Sequence, residues 1–278
     1  MLRTDLAVEE HDRLIGKKKE VQGVGVEIET KDTGIVIEKL RVDTQNAAKE
    51  MGKPKGEYIT IEFSKVKTKD DICKKYVAEE LANQIRLLLP KEISKDRFTV
   101  GRCGEENFSA LIVGLGNRGV QMDALGPMTI DKIQMSRYFM KQFGKYAYAS
   151  AELSHISGIA PGVMEQTGLE TCEVVKGIVG EIEPDVVITI DALVGKNVRR
   201  LGRTIQITSS GVIPGSGVGV CHKKLSKETL GVPVISIGVP TVVDAGSGLF
   251  LISKKLPSMM ERVSDIIALG IEHALHGI

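Results

Sequence analysis

Two aspartates carry the chemistry that this sequence suggests first. Asp123 stands in "QMDALGP" (Gln121 to Pro127) and Asp191 in "TIDALVG" (Thr189 to Gly195). Each opens an Asp-Ala-Leu, each follows an apolar run of strand character, and each is soon followed by glycine. Ligands of open α/β sheets sit outside the carboxyl ends of the strands. Asp191 is expected to end one such strand and Asp123 to lie in the loop after another, so neighbouring strands would bring the carboxylates to one crevice. Two carboxylates that close do not ionise together readily. One pKa rises, the pair shares a proton, and a water between them is activated. One Asp takes a proton from the water as it attacks an amide carbonyl; the other gives a proton to the oxygen or to the leaving nitrogen. The pattern alone describes a pair of metal ligands equally well, and a lone Asp at a strand end is commonly a helix cap or a salt-bridge partner.

Other candidates carry less. "GLGNRG" (Gly114 to Gly119) fits the dinucleotide-binding G-x-G-x-x-G. That motif needs a helix starting at its second glycine, and here Gly126 and Pro127 fall where the helix should be in full course. The acidic residue expected about 20 residues on is missing from "RYFMKQFG". The better reading is a tight loop whose glycines aim Asp123, with Asn117 inside it, back across the sheet edge. A second glycine cluster, "GVIPGSGVG" (Gly211 to Gly219), lacks the ending of a P-loop. It reads first as a strained connection between strands, and second, around Gly215, Ser216 and Gly217, as a place where a substrate backbone can approach closely. Lys196, Arg199, Arg200 and Arg203 follow Asp191. Most read as a solvated face, with Arg200 a candidate partner for acidic substrate side chains. His155 is a candidate base or ligand, although an isolated histidine is more often a loop hydrogen-bonder, and no serine has the G-x-S-x-G elbow.

The elements that must position these residues follow from periodicity. Val24, Val26 and Ile28 alternate, "TKDTG" turns, and "IVIEKLRV" returns, so a hairpin is expected, with "EYITIEF" a further strand. Val77, Leu81, Ile85 and Leu88 predict a helix from Asp70 to Pro90. "ALIVGLG", "DVVITID" and "PVISIGVP" are continuous apolar runs, the mark of strands buried on both faces of a parallel sheet. Helices are expected between them from Ile130 to Phe143 and from Leu169 to Ile182, and a closing helix from Pro257 to His276. The fold class is therefore α/β: a mainly parallel central sheet with flanking helices and an N-terminal β-rich elaboration. One domain is expected over residues 1–278, its β-rich part at 1–68 and its core at 107–278.

Bulk properties narrow the partners. Apolar content is 42%, charge 26% and net charge +1, with no Trp. Neither an electrostatic footprint for nucleic acid nor an aromatic platform is present. No apolar stretch approaches the ~20 residues of a membrane helix, and the N-terminus lacks a secretory pattern. Cys73, Cys103, Cys172 and Cys221 are scattered, as expected of reduced thiols in a cytoplasmic protein. No zinc spacing is present; Cys221-His222 is the only close pair. No metal and no cofactor are expected.

Longer blocks carry a resemblance. "RTDLAVE", "VGLGN" with "DALGP", "PGVMEQTGLET", "IDALVGKNVRRLGRTIQITSSGVIPGSGVG" and "ETLGVPVISIGVPTVVDA" closely resemble the spore germination protease family of endospore-forming Firmicutes. The resemblance implies an atypical aspartic endopeptidase with a fold similar to the hydrogenase maturation proteases. It implies degradation of small acid-soluble spore proteins in the spore core, synthesis as a zymogen, and a homotetramer. The family's catalytic aspartates fall on Asp123 and Asp191. The family cuts after an acidic residue and before an apolar one, so "TDLAVE" resembles a processing site between Asp5 and Leu6. The family pro-segment is longer than Met1 to Asp5, and a long region usual after "VVDAGSGLF" is missing here, which bears on oligomer and activation. "GVCHKK" also departs from the usual residues after the glycine loop. Two alternatives remain: a metal-dependent peptidase of hydrogenase-maturation type, and a non-catalytic paralogue that binds spore proteins or a nucleotide without cutting.

Overall fold

A computed structural model describes residues 3–17, 21–64, 66, 70–90, 108–143, 154–215, 223–246 and 249–276. Among the described residues nine strands form one sheet: β1 (Val24–Thr30), β2 (Val36–Val42), β3 (Gly56–Glu62), β4 (Ser109–Gly114), β5 (His155–Ile159), β6 (Val186–Gly195), β7 (Thr204–Thr208), β8 (Val234–Gly246) and β9 (Leu249–Ile252). Their order is β1-β2-β3-β7-β8-β6-β4-β5, with β9 also paired to β8. The three continuous apolar runs became β4, β6 and β8, which with β5 make the parallel half. β1, β2, β3 and β7 pair antiparallel, and β7 pairs antiparallel with β8. The N-terminal β-rich part is thus spliced into the same sheet through β3 and β7.

Side chains alternate across each strand and so sort onto two faces. Ile112, Ile188, Ile190, Ile205, Ile207, Ile235 and Ile237 face one core with helices α3 (Asp70–Leu88) and α9 (Leu256–His276). Leu111, Val113 and Val187 face the other, under Val175 and Val179 of α7 (Thr171–Ile182). The short helices α1 (Ala7–Gly16) and α2 (Gln45–Met51) cover β2 and β3 through Leu14, Leu40, Ala47, Met51 and Tyr58. α3 and α9 cross closely because Gly270 carries no Cβ: one built there would lie 2.7 Å from Leu81 Cδ2 and 3.1 Å from the Ala78 carbonyl oxygen.

The expected hairpin forms as β1 and β2, paired antiparallel with Val26 opposite Leu40. β1 is a sheet edge, and Val26 and Ile28 are exposed. One expectation is corrected. The helix expected from Ile130 to Phe143 forms only in its last part, α5 (Arg137–Phe143), while α4 (Leu125–Ile130) ends where it was expected to begin. Ser136 explains the break. Buried, it donates its N–H to Ile156 O at 3.0 Å and its hydroxyl to Ser154 O at 2.5 Å, which pulls the chain onto β5 between the two helices. Among the described residues the remaining α-helices are α6 (Met164–Thr167) and α8 (Lys227–Leu230).

Leu81 is fully buried at the α3–α9 crossing. Leu81→Ala is predicted to lower stability by about 2–5 kcal/mol, read as a lower urea midpoint at unchanged m-value. A loss under ~1 kcal/mol would mean the two helices are not packed as described.

Candidate active site

The site exists because β6 is longer than its neighbour. β4 pairs with β6 up to Gly114 opposite Ile190, and Leu115 N–H still reaches Ile190 O at 2.8 Å. Asp191 is the next residue of β6, which runs on to Gly195 beside β8. Asp191 therefore does not end its strand, as the sequence reading expected; it lies where the neighbouring strand ends. Its residue surface is 8% exposed, and its Oδ1 accepts the Ala192 N–H at 2.9 Å.

Asp123 reaches the same place through a folded loop. From Gly114 the chain passes through Gly116 at φ +108° and returns in a 3₁₀ turn at Gln121–Asp123. A Cβ on Gly116 would meet the Asp123 carbonyl oxygen at 2.0 Å, and one on Gly114 would meet the Gly126 carbonyl oxygen at 2.4 Å. Only glycine permits either contact. The Asn117 N–H binds Asp123 Oδ2 at 2.7 Å, and the buried Thr241 of β8 donates its hydroxyl to Met122 O at 2.8 Å. α4 starts at Leu125, well past the second glycine of G-x-G-x-x-G, and Pro127 sits in its first turn, where a missing N–H leaves no helical bond unmade.

Asp123 and Asp191 line one cavity of about 290 Å³, together with Asn117, Met164 and Gly215. A second cavity, of about 570 Å³, is lined by Lys53, Tyr58, Gln206 and Ser210. Asp5, Asp191 and Leu193 border both. Burial drives the Asp191 pKa well above the ordinary 3.8, and the charges of Asp123 and Asp5 push it further, against the opposing Ala192 N–H. Burial also raises Asp123, aided by Glu165, while the Asn117 N–H restrains it. Asp191 is accordingly the carboxyl that holds a proton, and Asp123 the one that ionises first.

The chain's own N-terminal segment occupies this cleft. Asp5 N–H donates to Val194 O, and Val194 N–H donates to Asp5 Oδ2, both at 2.8 Å. Leu6 and Val8 are buried against Leu193. Gln206 Oε1 accepts the Ala7 N–H at 2.7 Å, and Glu9 accepts the Lys196 and Asn197 N–H groups at 2.7 and 3.0 Å.

The other sequence candidates divide. Asn117 and Gly215 line the aspartate cavity. Arg200 lies against α1 instead, with Asp12 at 3.4 Å, Glu62 at 3.7 Å and Glu9 at 3.9 Å. Ser216 and Gly217 lie outside the described residues, as do Cys103, Cys221 and His222. His155 begins β5, at the opposite end of the parallel strands from the aspartates. Among the described residues no group of three or more His, Cys, Asp or Glu is placed to hold a metal ion. The sequence reading missed Lys53, Gln206 and Thr241. For Gln206 a signal existed, since a long polar side chain in the buried strand "TIQIT" needs a partner.

Fold and site together define an α/β protein with a desolvated aspartate pair at the carboxyl end of a parallel strand. Residues 2–248 match the family described as germination protease, and the chain belongs to that family. It is 43% identical over 248 residues to the germination protease of Bacillus cereus strain AH187 and 42% identical to that of Bacillus mycoides strain KBAB4. Each alignment takes in 88% of this chain and 64% of the relative, so the chain spans less than two thirds of those proteins' length. Among solved structures, a NiFe hydrogenase maturation protease, HycI, from Thermococcus kodakarensis KOD1 aligns at TM-score 0.34 and 20% identity, over 60% of this chain and 95% of that one.

A raised carboxyl pKa is a stability statement. Between 3.8 and its raised value, folded Asp191 holds a proton that the unfolded chain releases, so stability falls as pH rises through that window. Asp191→Asn does not titrate. It is predicted to be more stable than the parent at pH 7, by about 2–4 °C in Tm per kcal/mol released, with the gain vanishing as pH falls towards 3.8. Thermal melts at both pH values check this; an equal or lower Tm at pH 7 would contradict it.

Proposed function

We propose that this chain is an aspartic-type endopeptidase that cuts small acid-soluble spore proteins at germination, after an acidic residue and before an apolar one. Asp123 and Asp191 activate the attacking water, and the chain processes itself between Asp5 and Leu6. The observation that carries the reading is that Asp5, whose bond to the buried Leu6 is of the acid–apolar kind, lines both cavities that Asp191 borders. Family membership supports the same reading.

The chemistry follows from the charge states. Ionised Asp123 takes a proton from water as its oxygen attacks the carbonyl carbon. The carbonyl π electrons move to oxygen. As the C–N bond breaks, protonated Asp191 gives its proton to the leaving nitrogen, and the carbonyl re-forms as a carboxylic acid. The family resemblance adds the finer points of the proposal: one peptidase domain over residues 1–278, a homotetramer, and residence in the spore core. Gly215, with Ser216 and Gly217 beyond it, would pass close to a substrate backbone; Asn117 is a further candidate contact. Among the described residues no helix is long and apolar enough to cross a membrane.

The test is to mix the purified chain with one small acid-soluble spore protein and read the fragments by mass spectrometry. Cuts after Glu or Asp are expected to persist with chelator and to fall by about 10²–10⁴-fold in Asp123→Asn and in Asp191→Asn. Cutting that survives either substitution contradicts the pair, and loss on chelation favours a metal-dependent reaction. The rate should be bell-shaped in pH. The acid limb, where Asp123 takes up a proton, lies above 3.8, and the alkaline limb, where Asp191 loses its own, lies higher still.

A further inference from the structure

The Asp5–Leu6 peptide is held by more than its flanking backbone. The Asp5 carbonyl oxygen accepts a hydrogen bond from Lys53 Nζ at 2.8 Å and another from Gln206 Nε2 at 3.3 Å. Lys53 Nζ also donates to Thr4 O at 3.1 Å. Gln206 grips both sides of the bond, since its Oε1 takes the Ala7 N–H at 2.7 Å. Lys53, Gln206, Asp5 and Asp191 all line the larger cavity.

The placement of Lys53 is built into the chain. α2 ends at Met51 and is capped by Gly52, which adopts the left-handed conformation at φ +62°, and the Lys53 N–H returns to Ala48 O at 3.1 Å. This closed turn directs the lysine side chain away from α2 and over the N-terminal segment. Burial, with the nearby charge of Lys196, pulls the Lys53 pKa below its ordinary 10.5, against the opposing charges of Asp5, Glu10 and Glu9. A cation and an amide N–H so aimed at one carbonyl oxygen have the arrangement that stabilises an oxyanion.

We propose that Lys53 is a catalytic residue of the self-processing reaction, the electrophile that with Gln206 receives the negative charge on the Asp5 carbonyl oxygen when water adds to its carbon. This rests on the reading that Asp123 and Asp191 cut the chain at Asp5–Leu6. Water oxygen bonds to the Asp5 carbonyl carbon, its proton passes to Asp123, and the π electrons go to the oxygen held by Lys53 and Gln206. Collapse of that oxyanion breaks the bond to the Leu6 nitrogen, which takes the proton of Asp191. Lys53 gives up no proton; it remains an ammonium throughout.

The experiment uses the full chain, with Lys53→Met, Lys53→Arg, Gln206→Leu and Asp191→Asn beside the parent. Cutting at Asp5–Leu6 is timed by intact mass, and docking of residues 3–8 is followed by amide hydrogen exchange. Lys53→Met is expected to slow cutting by about 10²–10³-fold while the Asp5 amide, bonded to Val194, stays protected. Lys53→Arg, which keeps the cation, should recover part of the rate, and Gln206→Leu should lose less than Lys53→Met. An unchanged rate in Lys53→Met overturns the proposal. So does a loss of rate that goes with loss of protection, which would make Lys53 only a tether. The two readings fail separately. If Asp191→Asn still cuts, the aspartate pair is wrong while the lysine result stands. If the parent never cuts at Asp5–Leu6, both are overturned.

Discussion

The structure turns on a mismatch in strand length. β6 continues beside β8 after β4 has ended, so one buried strand reaches past the shelter of its neighbour. A backbone edge left in that state must be covered or wetted. Here the N-terminal segment covers it, with Asp5 bonded twice to Val194 and Leu6 packed beneath. The same mismatch places Asp191 where a carboxylate is poorly solvated but still borders open space on two sides. Desolvation of Asp191, rather than any special partner, is the largest influence on its charge.

The rest of the site meets that constraint. The β4 loop brings in a second carboxylate, and the close contacts at Gly114, Gly116 and Gly126 leave no room for a Cβ. Thr241, from β8, ties the returning turn to the strand that also flanks β6. The antiparallel half contributes too. Gln206 lies on β7 and Lys53 just ahead of β3, so the antiparallel strands and the turn that leads into them build the far wall of the larger cavity. An α/β core with only its parallel strands would hold both aspartates and lack that wall.

Much of this was legible in the sequence, for physical reasons. Three uninterrupted apolar runs have one economical use, as strands buried on both faces, and they became β4, β6 and β8. Asp in the middle or just past such a run is costly unless it has work to do, which is why Asp123 and Asp191 stood out. Order across the sheet was not legible. Whether the N-terminal strands stack separately or join the edge depends on β7, a stretch of five residues whose pairing with both β3 and β8 no local pattern encodes. The split between α4 and α5 was hidden for the same reason: Ser136 bonds to residues about twenty positions away. Lys53 was invisible because a lysine beside glycine and proline in "GKPKG" reads as a solvated turn. Only the folded chain brings it against Asp5. Arg200 shows the converse, a basic residue noticed for its place after Asp191 that the fold turns towards α1.

The central claim is that Asp123 and Asp191 form one coupled acid pair in a desolvated cleft. Its most direct test is a carbon-13 titration of the aspartate carboxyl groups in the parent chain and in Asp123→Asn. The account predicts one carboxyl, absent from the Asp191→Asn spectrum, that stays protonated far above 3.8 and titrates lower once the Asp123 charge is removed. An Asp191 carboxyl that titrates near 3.8, or that ignores the loss of Asp123, would contradict it.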